Sequence, residues 1–419
     1  MRDGLIIDCF CGGGGATEGM EQALGRAVDI GVNHDKEAIR LHMVNHPETL
    51  HLTEDIFEVD LEKYVAGRHV ALMWASPDCT QFSKAKGGKP REHGIRILPW
   101  AVHKHASKIL PDVIVMENVE EIQQWGALDE NGQPIEEDKG KEYERFMKAM
   151  EDIGYKHESW ELVAADYGAP TTRRRWYAVF RRDGEKIIRP DETHSETGDL
   201  FRERWKECGD YVMWNEYGFG KSIFGRKKPL CEKTQARIAR GIKKFILDAR
   251  HPYLVDANTA AFMIQYHSET TKNGVRGQDL SKPIKTIDTQ NRYGLVSAFI
   301  QTYYKNGTGQ SLSEPLHTIT TRERFALMTA FLMKYNGDDT SDSVTIDGDS
   351  YRIGDISMRM LEPEEMKQMQ GFPKTYIIDH DIDGKAISRK EQVAKIGNSV
   401  VPAMAKAIVS ANCAEIARC

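Results

Sequence analysis

Paired cysteines are missing from this chain, and so is any long apolar run. Its seven cysteines (Cys9, Cys11, Cys79, Cys208, Cys231, Cys413 and Cys419) form an odd set without CxxC spacing. That excludes a disulfide framework and a zinc site built on paired thiols, and fits reduced cysteines. No stretch approaches the ~20 apolar residues that cross a bilayer. The opening Met1-Arg2-Asp3-Gly4-Leu5-Ile6-Ile7-Asp8 lacks the apolar region of an export signal and runs straight into a strand. A cytoplasmic protein is expected. Surplus positive charge is also missing, since 57 Lys and Arg against 63 Asp and Glu leave a net charge of −6. A uniformly basic polyanion binder is thereby excluded, although a local basic face would supply the same attraction. Such clusters are present at Lys84, Lys86, Lys89 and Arg91, at Arg173, Arg174, Arg175, Arg181 and Arg182, and at Arg226, Lys227 and Lys228, followed by Arg237, Arg240, Lys243 and Lys244. One cluster alone reads as a solvated surface; three together point to a polyanionic partner.

The 419 residues are 40% apolar and 29% charged, enough for a sizeable core and two domains. Strand-like and helix-like stretches alternate through residues 1–182. Leu5-Ile6-Ile7 is followed by a run of glycines and a helix from about Thr17 to Leu24. Strands are expected at Val28–Val32, Val70–Trp74, Val113–Met116 and Tyr177–Phe180, with a helix carrying Ala38, Ile39, Leu41 and His42. This alternation predicts an α/β domain with a mostly parallel, Rossmann-like sheet whose ligands sit beyond the carboxyl ends of the strands. Over residues 183–357 that rhythm disappears and short strands dominate, apart from a helix at Glu232–Leu247. A repeat lies here. Leu280-Ser281, Pro283 and Thr286-Ile287 recur as Leu312-Ser313, Pro315 and Thr318-Ile319. A second, smaller, mostly β domain is expected, and residues 358–419 return to helical sequence that should pack back on the first domain.

Cys79 ends an apolar strand in Ala75-Ser76-Pro77-Asp78-Cys79-Thr80-Gln81-Phe82-Ser83. A lone Cys is most often a small buried hydrophobe. The company of this one overturns that reading. Before it stands Asp8-Cys9-Phe10-Cys11-Gly12-Gly13-Gly14-Gly15, a glycine turn opening a helix, which lets a bound cofactor approach the backbone. There is no GK[ST], so a P-loop is excluded. The next strand ends at Asn33-His34, where ribose and adenine would be read, and Asp55-Ile56 closes the third. After Cys79 come Glu117-Asn118-Val119 and Arg173-Arg174-Arg175, which alone would read as a helix-start carboxylate and a basic turn.

In this order the blocks resemble those of the DNA (cytosine-5)-methyltransferases, across nearly the whole chain. The glycine turn with Asp8 and Phe10 resembles the S-adenosylmethionine motif, and Cys79 to Ser83 the catalytic block. Glu117-Asn118-Val119 matches the ENV block, and Gly168 to Arg175 resembles GxPQxRxR. Arg359-Met360-Leu361 through Gln370-Gly371-Phe372-Pro373 and Gly397-Asn398-Ser399-Val400 resemble the last two blocks. Three positions depart from the pattern: Pro77 stands two residues before Cys79, Thr171 replaces a Gln, and Asn33 replaces the acidic residue that usually holds the ribose.

The resemblance implies methyl transfer from S-adenosylmethionine to C5 of a cytosine in double-stranded DNA. It assigns catalysis to Cys79, Glu117, Asn118, Arg173 and Arg175. It assigns cofactor contacts to Asp8, Phe10, Gly12, Gly14, Gly15, Asn33, His34, Asp55, Ile56, Pro77, Asn398, Ser399 and Val400. DNA contacts fall to Ser83, Lys84, Lys86 and Lys89. Base reading falls to Arg292, Arg322 and Arg324, because Arg suits guanine, with Gln290 and Asn291 as further candidates. A monomer with no obligatory protein partner is expected. The rival readings are a tRNA cytosine-5 methyltransferase and a catalytically silent DNA-binding homologue.

Overall fold

The computed structural model describes residues 4–77, 98–127, 129, 134–251, 253–256, 259–265, 277–302, 344–346 and 349–416. The chain forms two compact units. One comprises Met1–Lys206, Lys285–Gln290 and Met366–Cys419, the other Glu207–Ile284 and Asn291–Glu365.

In the first unit, β1 (Leu5–Cys9), β2 (Ile30–Val32), β3 (Leu50–Leu52), β4 (Val70–Ala75), β5 (Val113–Asn118), β6 (Lys156–Val163) and β7 (Arg174–Arg181) make one sheet in the order β3-β2-β1-β4-β5-β7-β6. The first five strands are parallel, and β7 runs antiparallel to both β5 and β6. Buried on both faces, β4 (VALMWA) and β5 (VIVMEN) need no polar alternation. The order reverses between β1 and β4, and such a switch point leaves a crevice at the carboxyl ends. The sequence reading ends its strand series at residues 177–180 and omits β6. That strand is a half-exposed edge whose charged residues hide its pattern.

Helices α1 (Gly15–Leu24), α2 (Lys36–Asn45), α3 (Leu61–Val65), α4 (Leu98–Ile109) and α5 (Lys141–Asp152) follow in chain order. One core lies between the sheet and α4 and α5, around Met73, Ile114, Met116, Phe146 and Phe180. On the opposite face, Ile6, Leu72, Val113 and Val115 pack against α1 and against Met404, Ile408 and Val409 of the helix Pro402–Asn412. After β7 the chain forms a two-residue ladder of β8 (His194–Ser195) and β9 (Glu203–Arg204).

The second unit is built on an antiparallel sheet, β10 (Lys221–Ser222), β16 (Asp349–Met360), β14 (Tyr293–Thr302), β12 (Thr259–Gln265) and β11 (Leu254–Asp256), with β13 (Gly277–Asp279) on β12 and β15 (Val344–Ile346) on β16. The helix Glu232–Ile242, extended by a wider turn over Lys243–Leu247, covers it. Ile238, Ile242 and Ile246 meet Phe262, Val296 and Ile356. The second copy of the repeat, at 312–319, lies outside the described residues. No helix among the described residues is long and apolar enough to cross a membrane.

Candidate active site

The glycine turn caps the carboxyl end of β1 beside the switch point. Cys11 N donates to Val32 O (3.1 Å) and Gly14 N to Cys11 O (2.9 Å), tying the turn to β2. Phe10 is left-handed at φ 67°, and Gly14 caps α1 at φ 88°. A methyl at Gly15 would lie 2.1 Å from the Val400 carbonyl oxygen, so the C-terminal segment is seated on bare backbone. At Gly12 the nearest atom to such a methyl is 3.7 Å away, leaving this face open to a ligand. The cradle fits a cofactor lying along the turn.

Around it stand the other cofactor candidates. Half-buried Asn33 uses its Oδ1 to accept from Asp35 N (2.9 Å), and His34 is exposed. Asp35 caps α2 by accepting from the Glu37 and Ala38 N–H groups, and it pairs with Lys395. Burial opposes ionisation there, but Lys395 and the cap bonds hold the Asp35 pKa below its ordinary value. Exposed Asp55 accepts from Phe57 N (2.8 Å), and buried Ile56 offers its carbonyl to His105 (2.7 Å). Ser399 donates from Oγ to Lys395 O (2.8 Å), and its own carbonyl accepts from Gln370 Nε2 (3.1 Å); Asn398 is exposed and Val400 buried.

A polar chain that sequence reasoning missed runs beneath the turn. Thr17 Oγ1 donates to Asp8 Oδ2 (2.6 Å) and lies 2.9 Å from His42 Nε2; His42 Nδ1 lies 2.8 Å from His51 Nε2. Burial raises Asp8 to about 7, with the Thr17 bonds opposing. Burial, then the neighbouring His46 and His51, holds His42 well below the usual histidine range. Alongside, Tyr376 Oη donates to Gly13 O (2.6 Å), and His46 links Tyr376 to Glu21. The spacing of His42, His46 and His51 is visible in the sequence, but nothing there shows their rings meeting.

Three of the proposed catalytic groups, Glu117, Asn118 and Arg175, come together at the same end of the sheet. Glu117 is the penultimate residue of β5 and faces Tyr177 of β7 across the ladder. Arg175, near the start of β7, places Nε 3.2 Å from Glu117 Oε1, with side chains 14% and 9% exposed respectively. Buried Asn118 donates from Nδ2 to Pro77 O (3.0 Å) and accepts from Val119 N (2.9 Å), clamping the segment that leads toward Cys79. Arg173 points elsewhere. It is buried, and its Nη1 donates to Gly397 O (3.0 Å) and Ile287 O (3.3 Å). Cys79, Ser83, Lys84, Lys86, Lys89, Arg322 and Arg324 lie outside the described residues. Arg292 is half-buried in the second unit, where Asn291 Nδ2 donates to Leu361 O (2.8 Å).

A switch-point crevice with a glycine turn, in a sheet where antiparallel β7 lies between β5 and β6, defines a Rossmann-like methyltransferase fold. A solved structure of a Spodoptera frugiperda DNMT2 mutant is similar to it, with 14% identity, a TM-score of 0.53, and coverage of 98% of this chain and 99% of that one. The chain belongs to the C-5 cytosine-specific DNA methylase family, whose model matches residues 5–413. It is similar to the Type II methyltransferase M.AgeI of Thalassovita gelatinovora (29% identical over 194 residues, 45% of this chain and 42% of that protein). It is also similar to the Type II methylase M.HgiDII of Herpetosiphon aurantiacus (30% over 200 residues, 45% and 51%). The chain spans about half the length of these curated relatives.

Proposed function

We propose that this protein methylates C5 of a specific cytosine in duplex DNA. The observation that carries the reading is the Arg175–Glu117 pair, set where β5 and β7 meet and clamped through Asn118 to the segment before Cys79. S-adenosylmethionine, when bound along the glycine turn and Asn398–Val400, supplies an electrophilic methyl group. Cytosine C5 is a poor nucleophile until something adds at C6. The Cys79 thiolate forms a bond to C6, and the electron pair of the 5,6 double bond becomes available at C5. Glu117 hydrogen-bonds the N3/N4 edge and stabilises the developing enamine, while Arg175 holds Glu117 in place and reaches the pyrimidine carbonyl. After methylation, loss of the C5 proton to a base and cleavage of the S–C6 bond restore the ring and the thiolate. The target carbon is inaccessible in a stacked duplex, so the base is extruded. Lys84, Lys86 and Lys89 supply positive charge for the DNA phosphates, and the second unit, with Arg292, Arg322 and Arg324, reads the flanking bases.

Methyl incorporation from labelled S-adenosylmethionine into unmethylated duplex DNA and into tRNA tests the reading. Wild type should label duplex DNA, and Cys79→Ser should fall to background while still binding DNA. Full activity of Cys79→Ser overturns the nucleophile assignment, and labelling confined to tRNA moves the substrate to RNA.

A further inference from the structure

Three chain segments distant in sequence meet at one buried guanidinium. Arg173 N donates to Thr171 Oγ1 (3.2 Å), within the turn that delivers Arg175 to Glu117. Its Nη1 donates both to Gly397 O (3.0 Å) and to Ile287 O (3.3 Å). Gly397 immediately precedes Asn398-Ser399-Val400, the segment seated on the glycine turn. Ile287 belongs to Lys285–Gln290, a strap that the chain sends into the first unit between β13 and β14. The strap lies on the end of the helix Arg389–Asn398 in backbone contact, since a methyl at Gly397 would sit 2.1 Å from Asp288 O. Asp288 Oδ1 accepts from Gln290 N (2.9 Å), fixing the exit of the strap just before Asn291 and Arg292.

We infer that Arg173 is a positioning residue that couples cofactor occupancy to DNA recognition. A guanidinium nitrogen bonded to two buried carbonyls cannot follow one segment without leaving the other carbonyl short of a donor. The cofactor segment, the strap and the Arg175 turn therefore shift together. A ligand that settles Asn398–Val400 also settles the strap that leads into the proposed base-reading residues, and DNA on those residues acts back on the cofactor segment to the same degree. The inference rests on the methyl-transfer reading for the identity of both ligands.

The test is a ratio. Duplex DNA carrying a site mapped by bisulfite sequencing is titrated, by fluorescence anisotropy, against the full chain with and without saturating S-adenosylhomocysteine. Wild type should bind DNA roughly 5–100-fold more tightly with the cofactor product present. In Arg173→Gln that factor should drop to about 2 or less, and Arg173→Lys, which keeps the charge and can still donate, should restore part of it. Gly397→Ala perturbs the same junction from the other side and should also lose the factor. A purely structural role would lower thermal stability and both affinities yet leave the ratio unchanged. Retention of the wild-type ratio in Arg173→Gln and Gly397→Ala, or a ratio of 1 in wild type, overturns the inference. The two failures are separable: absence of DNA methylation by wild type removes the underlying reading, whereas methylation with an unaltered ratio removes the coupling alone.

Discussion

Glu117 and Asp8 are both buried carboxylates, and their surroundings set them to different tasks. Glu117 has a guanidinium 3.2 Å away at the open end of the sheet. Replacing it by Gln keeps the shape and removes the charge. Single-turnover methylation by Glu117→Gln should slow about 10²–10⁴-fold with DNA affinity nearly unchanged. Asp8 faces inward, where burial, with the Glu21 carboxylate adding to it and the Thr17 bonds opposing, raises its pKa to about 7. The folded protein then holds the Asp8 proton more tightly than the unfolded chain does, so this contribution to stability is present below about pH 4 and disappears as pH rises toward 7. Asp8→Asn cannot ionise. Its melting temperature should therefore gain on wild type as pH increases from about 4 to 7; a difference that stays flat across that window contradicts the assignment. Residue type and motif order single out Glu117 and Arg175 in the sequence, and the structure sets their side chains 3.2 Å apart; Cys79, singled out the same way, lies outside the described residues. The Thr17–His42–His51 chain was not, because it exists only once α1, α2 and β3 bring separate polar groups together beneath the turn.

Among the elements, the helix Arg389–Asn398 carries most consequence for the site, since it ends at Gly397 and Asn398. It begins with a capping box in which Ser388 Oγ accepts from Glu391 N while Glu391 accepts from Ser388 N. Ser388→Ala should cost about 1 kcal/mol, read as a lowered denaturation midpoint with an unchanged slope. Parallel strands such as β4 and β5 were legible from uninterrupted apolar runs. The edge strand β6 was not, because five of its eight residues, Lys156-His157-Glu158-Ser159-Glu161 among KHESWELV, are polar and, among the described residues, only β7 pairs with it. The packing of Gly15 against the Val400 carbonyl could not be read from the sequence, because the partner lies nearly the whole chain away.

At the scale of the whole molecule, the second unit, Glu207–Ile284 and Asn291–Glu365, is an antiparallel sheet under the helix Glu232–Ile242, and it lies largely in the stretch where the βα rhythm of the sequence gives way to short strands. The strap Lys285–Gln290 was invisible because nothing in its residues distinguishes a segment that returns to the first unit from the repeat around it. The proposed methyl transfer turns on one covalent event. Wild-type protein, incubated with S-adenosylmethionine and a duplex carrying 5-fluorocytosine at the methylated position, should yield a protein–DNA adduct that survives denaturing electrophoresis and maps by peptide mass to Cys79. Fluorine at C5 prevents the proton loss that would release the enzyme. An intact duplex and unmodified protein, under conditions where ordinary cytosine at the same position is methylated, would contradict the account.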